Sequence, residues 1–416
     1  MTAFHRSAAG TLVGLAVSTG YPVGITASVL MPALALRAES RQAAYQSVLS
    51  YYAGALWPLI PGAKNFFGPG VSPFAAFGFW AVAALLLALP WPLVWSRNAR
   101  QSVWRAPIGL ALTVIPPLGI IGWASPLTAA GFLFPATGWC GLSFCAILTG
   151  ALAIWPKRAT VAAVCIGGVG NLMHPTEPSA PADWKAISTH FGSIAHRAPD
   201  PLAEYQTAEE IQREAVSARA SVIVFPETVV PYWTASTDVF WQQTLAELKA
   251  SGKTVLIGAR IPRKARGERP LYDFSAELAT LRWAPTPTPT RSPETEKWSP
   301  TYFNGLVIRG GQARIFEQRI PVPVVMWNPL RSDSAPLHLA GPGVMRIAAK
   351  RAAILICYEQ LISWPVLTSM SRHPEILIGV ANDYWAVDTT IPRFQSSAVR
   401  SWARLFGIPY VLAVNT

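Results

Sequence analysis

Acidic side chains are nearly missing from the first 173 residues of this 416-residue chain. That part holds nine of the 34 Lys and Arg residues but only one of the 22 Asp and Glu residues, Glu39. A soluble surface is normally coated with charges of both signs, so this part lacks the surface of an ordinary soluble domain. Residues 174–416 carry the remaining charges, which are mixed in sign. We therefore interpret the net charge of +12 as a feature of membrane topology and not as a nucleic-acid footprint.

Cysteine is scarce, with four residues in the chain. Cys140, Cys145 and Cys165 lie in apolar runs and are interpreted as inert packing residues. Cys357 is the only cysteine after residue 173, so that part of the chain has no partner for an internal disulfide. A lone thiol of this kind is a candidate nucleophile. We expect neither a cofactor nor a bound metal.

Long apolar runs dominate residues 1–173. A membrane-spanning helix needs about 20 predominantly apolar residues. The longer runs are 8–36, 73–95, 107–124 and 127–155, and the shorter ones are 48–60 and 159–173. The first run is too long to be the apolar part of a signal peptide, and more runs follow it. We predict a transmembrane bundle of about five or six helices over residues 1–173.

Basic residues between these runs predict the orientation of the bundle, because Lys and Arg concentrate on the cytoplasmic side. They cluster at 96–106 and 156–158, whereas the turn at 125–126 carries no charge. If 159–173 spans the membrane, the C-terminal part lies outside the cytoplasm, and if it only lies at the interface, that part is cytoplasmic. We favour a multi-pass protein of the bacterial inner membrane with a periplasmic soluble domain.

Residues 184–416 alternate between strand and helix patterns after a Pro-rich linker at 174–183. Continuously apolar runs, which predict strands buried on both faces, occur at 221–225 (SVIVF), 254–259 (TVLIGA), 352–357 (AAILIC) and 375–380 (EILIGV). Helices are predicted at 202–220, 238–250 and 394–406, a hairpin at 303–316 and a final strand at 410–414. Strands rich in Val and Ile that alternate with helices indicate an α/β domain.

Polar residues stand at the ends of three of these strands. Glu227 follows SVIVF, and a carboxylate held at a buried strand end suits a general base because burial raises its pKa. Cys357 ends AAILIC, where a nearby base would generate the reactive thiolate. Asn382 and Trp385 follow EILIGV, in a segment that suits a pocket wall or an ordinary turn. Taken singly, each of these residues also fits a structural role.

Together and in this order, the motifs resemble those of the nitrilase (carbon–nitrogen hydrolase) superfamily. The resemblance covers about residues 184–416 and is carried by 225–227 (FPE), 303–305 (FNG), 357–359 (CYE), 382–385 (NDYW) and 400–409, which ends in GIP. Apolar helices ahead of such a domain are similar to the layout of apolipoprotein N-acyltransferase, and most similar to that of the TraB conjugal transfer proteins of Ti and related rhizobial plasmids. The resemblance implies an αββα sandwich and a Glu–Lys–Cys triad.

Carried over position by position, the resemblance assigns Glu227 as the general base and Cys357 as the nucleophile. Glu359 matches an active-site glutamate beside the nucleophile. The backbone that follows Cys357 is expected to help hold an oxyanion. The expected substrate-binding residues are Tyr358, Asn382, Trp385 and Trp233.

The chain departs from the family pattern at the triad lysine. The matching segment is 316–326, in which Gln318 stands at the lysine position and Met326 stands where a second glutamate is expected. Gln318 would donate a hydrogen bond without a positive charge. The neighbouring Arg319 is the alternative cation, although a guanidinium does not exchange protons as an amine does.

Three functions stay open at this point. The first is a membrane-bound enzyme of plasmid conjugal transfer that forms a thioester at Cys357 from an ester or amide, with membrane lipids or a lipid-linked molecule as substrate. The second, favoured by the missing lysine, is a catalytically impaired scaffold or binding module among the conjugation components. The third is a nucleic-acid-handling component, motivated only by the basic stretch 260–266, which we interpret as a solvated loop. We expect no direct nucleic-acid partner, and pairing into a homo-oligomer is an open expectation.

Overall fold

The computed structural model describes residues 3–67, 72–192, 201–262, 302–331 and 334–416. A Pro-Thr-rich segment at 284–290 (APTPTPT) and most of the basic stretch 260–266, from position 263 onward, lie outside these residues. Up to residue 173 the described chain is helical, and after it comes an α/β domain with two sheets.

The helical region consists of helices that Pro and Gly turns separate. They are α1 (Ala3–Ser18), α2 (Pro22–Ala27), α3 (Leu30–Leu36), α4 (Arg41–Leu56), α5 (Leu59–Phe67), α6 (Pro73–Ala88), α7 (Pro90–Val94), α8 (Ser102–Val114), α9 (Ala130–Leu133), α10 (Gly138–Ile154) and α11 (Pro156–Met173). α1 packs along α4, and α8 packs along α10.

One helix among the described residues is long and apolar enough to cross a membrane, Pro73–Val94 with 22 residues. Pro22–Leu36 and Gly138–Ile154 are apolar but shorter. The predicted bundle of five or six spanning helices is therefore not confirmed. The run 8–36 turns at Gly20, where φ is +72° and a Cβ would lie 2.5 Å from the backbone nitrogen of Phe394. The run 107–124 leaves the helix at Val114, just before Pro116 and Pro117.

The outer surface of the helical region is strongly apolar. Most of the exposed large apolar side chains among the described residues precede residue 174. They include Phe74, Leu93, Trp104, Val164 and Leu172, each more than 60% exposed. An exposed apolar surface of this extent marks an interaction with a membrane or another protein.

The C-terminal domain holds two β-sheets. The strands are β1 (Trp184–Ala186), β2 (Val222–Val224), β3 (Val230–Tyr232), β4 (Thr254–Pro262), β5 (Tyr302–Gly310), β6 (Arg314–Glu317), β7 (Val344–Ile347), β8 (Lys350–Ile356), β9 (Ile376–Asn382) and β10 (Tyr410–Asn415). The first sheet has the order β1–β2–β4–β5–β6, with β3 also paired to β4, and the second has the order β10–β9–β8–β7. β2 runs parallel to β1 and β4, and β9 runs parallel to β8 and β10.

Four helices cover the outer faces of the two sheets. α12 (Pro201–Ser217) and α13 (Ala235–Ala250) share an apolar core with the first sheet. α14 (Ser363–Met370) and α15 (Ile391–Phe406) share one with the second sheet. A third apolar core, with Leu256 and Leu306 from one sheet and Ile354 and Ile378 from the other, fills the space between the sheets. This is the predicted αββα sandwich.

The predicted strands and helices of this domain are present with small shifts at their ends. β4 continues to Pro262, three residues beyond its predicted end at Ala259. The sequence did not predict β1, β3, β7 or α14, because each is short and carries no periodic pattern that distinguishes it from a loop.

The helical region packs directly on the α/β domain. One apolar core joins buried side chains of α4 and α10 to those of α15 and to Leu355 and Leu377 of the second sheet. The Tyr358 hydroxyl donates to the carbonyl of Ile120 at 2.7 Å, and Trp123 forms an isolated β-bridge with Ile362. The turn that carries Cys357 is thereby tied to the helical region.

Candidate active site

Cys357 occupies the first position of a tight turn at the end of β8. The backbone there has φ +51°, which is rare for a residue with a Cβ, and residues Cys357–Gln360 form one turn of 3-10 helix. The Gln395 side chain donates to the Cys357 carbonyl at 3.1 Å, and the Tyr358 N–H donates to the thiol sulfur. The thiol is therefore presented in a fixed orientation by a strained strand end.

Glu227 lies opposite the thiol, three residues beyond the end of β2 at Val224. Its side chain is 4% exposed and hydrogen-bonded to the thiol of Cys357. The Asn304 side chain donates to Oε1, and the Asn382 N–H donates to Oε2 at 3.1 Å. The strand ends of β2, β8 and β9 therefore meet at one site, as their polar residues predict.

Gly258 allows Glu227 to come this close to the first sheet. A Cβ at position 258 would lie 2.1 Å from the Pro226 carbonyl and 2.5 Å from the Cα of Glu227. Only a residue without a side chain leaves room for the 226–228 backbone to cross β4 at this point. The glycine in the strand sequence TVLIGARIP, Gly258, therefore indicates that another backbone segment, here 226–228, passes close to β4.

Burial sets the protonation of the pair. Burial raises the pKa of Glu227 to about 7. The hydrogen bonds from Cys357, Asn382 and Asn304 and the charge of Arg260 lower this pKa and offset only part of the rise. Burial also raises the pKa of Cys357 well above the usual value, and the charges of Glu227 and Asp383 raise it further. A free thiolate is therefore costly here, whereas a proton shared between the carboxyl and the thiol is not.

Asp383 is a second buried carboxyl close to this pair that the sequence interpretation missed. It is 1% exposed, and burial with the Glu227 charge raises its pKa to about 7. Its Oδ1 atom is buried and has no hydrogen-bond partner among the described residues. Asp383 does not line the cavity described below, so it acts on the pair by its charge and not by contact with a substrate.

A cavity of about 430 Å³ opens above Cys357 and Glu227. This volume lies within the range of about 300–1,000 Å³ typical of small-molecule sites. Its floor is polar and its walls are apolar. The helical region supplies part of the apolar wall through Leu59, Ala63, Phe66, Phe79 and Trp123.

Of the predicted substrate-binding residues, three line the cavity and one does not. Tyr358, Asn382 and Trp385 are part of its wall, and the Trp385 ring contacts Phe66 of α5 edge to face at 5.5 Å. Trp233 lies elsewhere, in the core between the first sheet and α13, where it packs against Trp241 and donates to Asp238 at 3.0 Å. Its prediction as a substrate-binding residue is wrong because its side chain faces away from the site.

Gln318 occupies the region expected for the triad lysine, behind the nucleophile. It is 2% exposed, and its Nε2 atom donates to the Ile356 carbonyl at 3.1 Å. Its Oε1 atom is buried without a partner among the described residues. The side chain therefore holds the strand end that precedes Cys357 and does not reach into the cavity.

Arg319 and Glu359 belong to a separate buried network behind the turn. Glu359 is fully buried, and its carboxylate accepts from the backbone N–H groups of Arg319, Ile320 and Ile356 at 2.9, 3.1 and 2.9 Å. The Arg319 guanidinium pairs with Glu359 at 3.3 Å and with the carbonyls of Ile354 and Pro365. Neither residue lines the cavity, so the interpretation of Arg319 as a replacement cation for the lysine is wrong.

Arg260 is the cation that does line the cavity, and the sequence interpretation placed it in a solvated loop. It lies in β4 and pairs in register with Asn304 of β5. Its guanidinium carbon lies 4.7 Å from the centre of the Tyr302 ring. The signal for this position was the alternation in GARIP, where Ala259 and Ile261 face the outer core and Gly258 and Arg260 face the other side.

Comparisons with known proteins identify two near-full-length relatives. The chain is 27% identical over 415 residues to a probable conjugal transfer protein TraB of Sinorhizobium fredii. The matched region covers 98% of this chain and 97% of that protein. It is 31% identical over 427 residues to the conjugal transfer protein TraB of Agrobacterium fabrum, with 97% of this chain and 90% of that protein covered. No family model matches the chain. Among solved structures, an amidase from Nesterenkonia sp. matches with 14% identity and a TM-score of 0.35 over 56% of this chain and 75% of that one.

Proposed function

The chain belongs to the family of TraB conjugal transfer proteins, and on that premise we propose that it is a membrane-bound enzyme of plasmid conjugal transfer that cleaves an ester or amide through a thioester at Cys357. The observation that carries this proposal is the hydrogen-bonded pair of Glu227 and Cys357 on the floor of an apolar-walled cavity. A nucleophile and a base that are in contact at strand ends are the minimum for covalent acyl chemistry.

The proposed reaction has two steps. In the first, Glu227 takes the thiol proton as the sulfur of Cys357 attacks the carbonyl carbon. The bond to the leaving oxygen or nitrogen then breaks, and the leaving group takes the proton from Glu227, which leaves an acyl thioester. In the second, Glu227 takes a proton from water or an amine that attacks the thioester carbonyl, and the proton returns to the sulfur as the thiol leaves.

The environment of Glu227 supports both proton transfers. A general base works best when its pKa is close to the working pH, and burial raises the pKa of Glu227 to about 7. The backbone N–H of Tyr358 is the donor closest to the sulfur and is the proposed donor to the developing oxyanion. Among the residues that the structure describes, no side-chain cation replaces the lysine in this role, so we expect slower acylation than a complete triad would give.

The apolar wall supports a lipid or lipid-linked substrate. Leu59, Ala63 and Phe66 of α5 and Phe79 of α6 face the reactive pair across the cavity. An acyl chain placed there would have its carbonyl at the polar floor. We therefore propose acyl transfer from a membrane lipid in preference to hydrolysis of a small polar amide.

The surface of the helical region supports a membrane location. Its exposed side chains are largely apolar, and residues 1–173 contain a single carboxylate. We propose a multi-pass protein of the bacterial inner membrane, with the basic clusters at 96–106 and 156–158 on the cytoplasmic side and the α/β domain in the periplasm.

The second candidate function is a non-catalytic scaffold in the conjugation apparatus. The observation that favours it is the orientation of Gln318. Its side-chain amide donates to the Ile356 carbonyl and does not reach into the cavity. In this alternative the Glu227–Cys357 pair persists as a binding surface without turnover.

Intact-mass measurement after incubation with bacterial phospholipids separates the two functions. Cys140 and Cys165 are also exposed, so the protein should carry Cys140→Ser and Cys165→Ser replacements. We expect a hydroxylamine-labile acyl adduct on the Cys357 peptide, absent from Cys357→Ala and strongly reduced in Glu227→Gln. If no lipid or short ester gives an adduct while a thiol reagent still alkylates Cys357, the enzyme proposal is wrong and the scaffold stands.

A further inference from the structure

Arg260 projects into the cavity from the inner face of β4. Along this strand, Val255, Ile257, Ala259 and Ile261 belong to the outer apolar core with α12 and α13. Side chains alternate between the faces of a strand, so Arg260 faces the same side as Gly258, over which the Glu227 backbone crosses. The side chain is accordingly part of the cavity lining together with Glu227, Tyr302 and Asn304.

The guanidinium of Arg260 forms neither a salt bridge nor a hydrogen bond with the described residues, although its charge lowers the pKa of Glu227. Its Nε atom is buried and unpaired. Its neighbours are aromatic, with the Tyr302 ring centre at 4.7 Å and the Tyr232 ring centre at 5.9 Å from the guanidinium carbon. The two rings are perpendicular to each other with centres 6.2 Å apart, so the guanidinium lies against them and not between them. The cation–π contact with Tyr302 positions the guanidinium and leaves N–H groups free to bind an oxygen anion.

Two buried arginines of this domain, Arg309 and Arg319, have a structural role. Arg309 pairs with Asp238 at 3.2 Å and stacks over Trp233. Arg319 pairs with Glu359 at 3.3 Å. Each has a carboxylate supplied by the protein, which offsets the cost of burying its charge. Arg260 differs from both because none of the described residues forms a salt bridge with it and it lines the cavity.

The position of Arg260 excludes the role of the missing lysine. Its charge acts on Glu227 and Tyr302, whereas the charges that act on the Cys357 thiol are those of Glu227 and Asp383. The guanidinium lines the cavity against the Tyr302 ring, and the carbonyl that would be attacked lies at Cys357. A group bound there belongs to another part of the same substrate molecule.

We propose that Arg260, whose guanidinium lies against the Tyr302 ring, is an anchor for an anionic oxygen group, a phosphate or a carboxylate, on the molecule whose carbonyl reacts at Cys357. Asn304 lies beside it in register, and its Oδ1 atom is buried and unpaired among the described residues. That oxygen would accept a hydrogen bond from a hydroxyl or amine next to the anion. The inference rests on the proposed function for the identity of the reacting site, but the binding of the anion itself does not require turnover.

Ligand binding to the Cys357→Ala protein tests this anchor without chemistry. The probes are dihexanoyl phosphatidylglycerol, which carries a phosphate, and dihexanoyl glycerol, which is neutral, each titrated into the full-length protein and followed by tryptophan fluorescence. Arg260→Gln should weaken binding of the phospholipid at least tenfold, about 1.4 kcal/mol, and leave binding of the neutral lipid unchanged. Arg260→Lys should restore part of the phospholipid affinity, because a point charge replaces the planar fork.

The exposed Arg346 on β7 provides the matched control. Arg346→Gln removes the same charge from the surface and should change neither affinity. Retained binding of the neutral lipid by Arg260→Gln shows that the cavity is folded. Competition by inorganic phosphate identifies a phosphate subsite, and competition by hexanoate identifies a carboxylate subsite.

Equal weakening of both lipids by Arg260→Gln, or no weakening of either, would overturn the proposal. This result is distinct from failure of the proposed function. If the wild-type protein forms no thioester yet Arg260→Gln selectively loses the phospholipid, the anchor stands and the enzyme proposal does not.

Discussion

Two buried carboxylates flank Cys357, and the structure partners them in opposite ways. Glu359, behind the turn, accepts from three backbone N–H groups and forms an ion pair with the Arg319 guanidinium. Glu227, in front of it, accepts from one backbone N–H, from Asn304 and from the reactive thiol itself. A carboxylate with a full set of donors stabilises the fold, whereas one that is buried with few donors is poised to exchange a proton. The sequence motifs assigned both to the active site, and the difference appears only in three dimensions.

The largest expected effect is on catalysis at Glu227. Glu227→Gln removes the proton acceptor while it keeps the shape of the side chain. We expect the single-turnover acylation rate at Cys357 to fall by about 10²–10⁴-fold, the usual contribution of a positioned base. At pH values below about 4.5, where Glu227 is protonated in both the folded and the unfolded protein, stability should change little, because the unpaired Oδ1 of Asn304 can accept from the new amide after the Asn304 side chain turns over. An acylation rate within twofold of the wild type would remove Glu227 from the mechanism.

The next effect is on stability at Glu359. Glu359→Gln leaves the Arg319 charge buried without a carboxylate, and breaking a buried pair of this kind costs about 3–5 kcal/mol. Denaturant unfolding in detergent, compared with Glu227→Gln under the same conditions, measures the contrast directly. Equal decreases in the free energy of unfolding for Glu359→Gln and Glu227→Gln would contradict the contrast between the two carboxylates.

The pH dependence of stability sharpens the same contrast. Burial raises the pKa of Glu227 from 4.5 to about 7, so the folded protein binds this proton more tightly than the unfolded chain does. Stability should therefore fall as pH rises from about 4.5 to 7, by an amount of order 3 kcal/mol from this group. Glu227→Gln should remove that part of the slope, and Asp383, whose pKa burial also raises to about 7, should account for a further fall of the same sign. An unchanged slope in Glu227→Gln would show that its pKa is not raised.

The smallest expected effect comes from restoring the missing charge. Gln318→Lys places an ammonium group behind the nucleophile, where it would stabilise both the thiolate and an ionised Glu227. We expect acylation to accelerate by roughly tenfold and its pH midpoint to move below 7. Gln318→Met, which keeps the volume without a donor, is the control and should give no acceleration. If both variants are equally slow, position 318 does not serve the function of the lysine.

Much of the α/β domain could be predicted from local patterns. Strands such as SVIVF and EILIGV are continuous apolar runs bounded by polar residues, and Glu227, Cys357 and Asn382 are marked by their places at strand ends. The lengths of the membrane-like helices could not be predicted from apolarity, because turns at Gly20 and at Pro116–Pro117 interrupt runs of sufficient length. Hydropathy alone does not show where such a run bends.

The partners of the charged residues could not be predicted from the sequence either. Arg319 was assigned to the site because it neighbours the lysine position, but its partner is Glu359, 40 residues away. Arg260 was assigned to solvent because basic residues follow it, but β4 continues through it and carries it into the cavity. For Arg260 the register of β4, which depends on long-range pairing, decides which face the side chain occupies. For Arg319, which follows β6, the long-range contact with Glu359 decides it.

The rate of Cys357 alkylation by iodoacetamide as a function of pH tests the central claim most directly. In a Cys140→Ser, Cys165→Ser background, the account predicts that the rate rises with a midpoint at about 7, where the Glu227 carboxyl ionises and accepts the thiol proton. In Glu227→Gln the rise should move to a much higher pH, because burial still disfavours the thiolate. The same profile in both proteins, rising as an ordinary thiol does at about pH 8.5, would contradict a coupled Glu227–Cys357 pair.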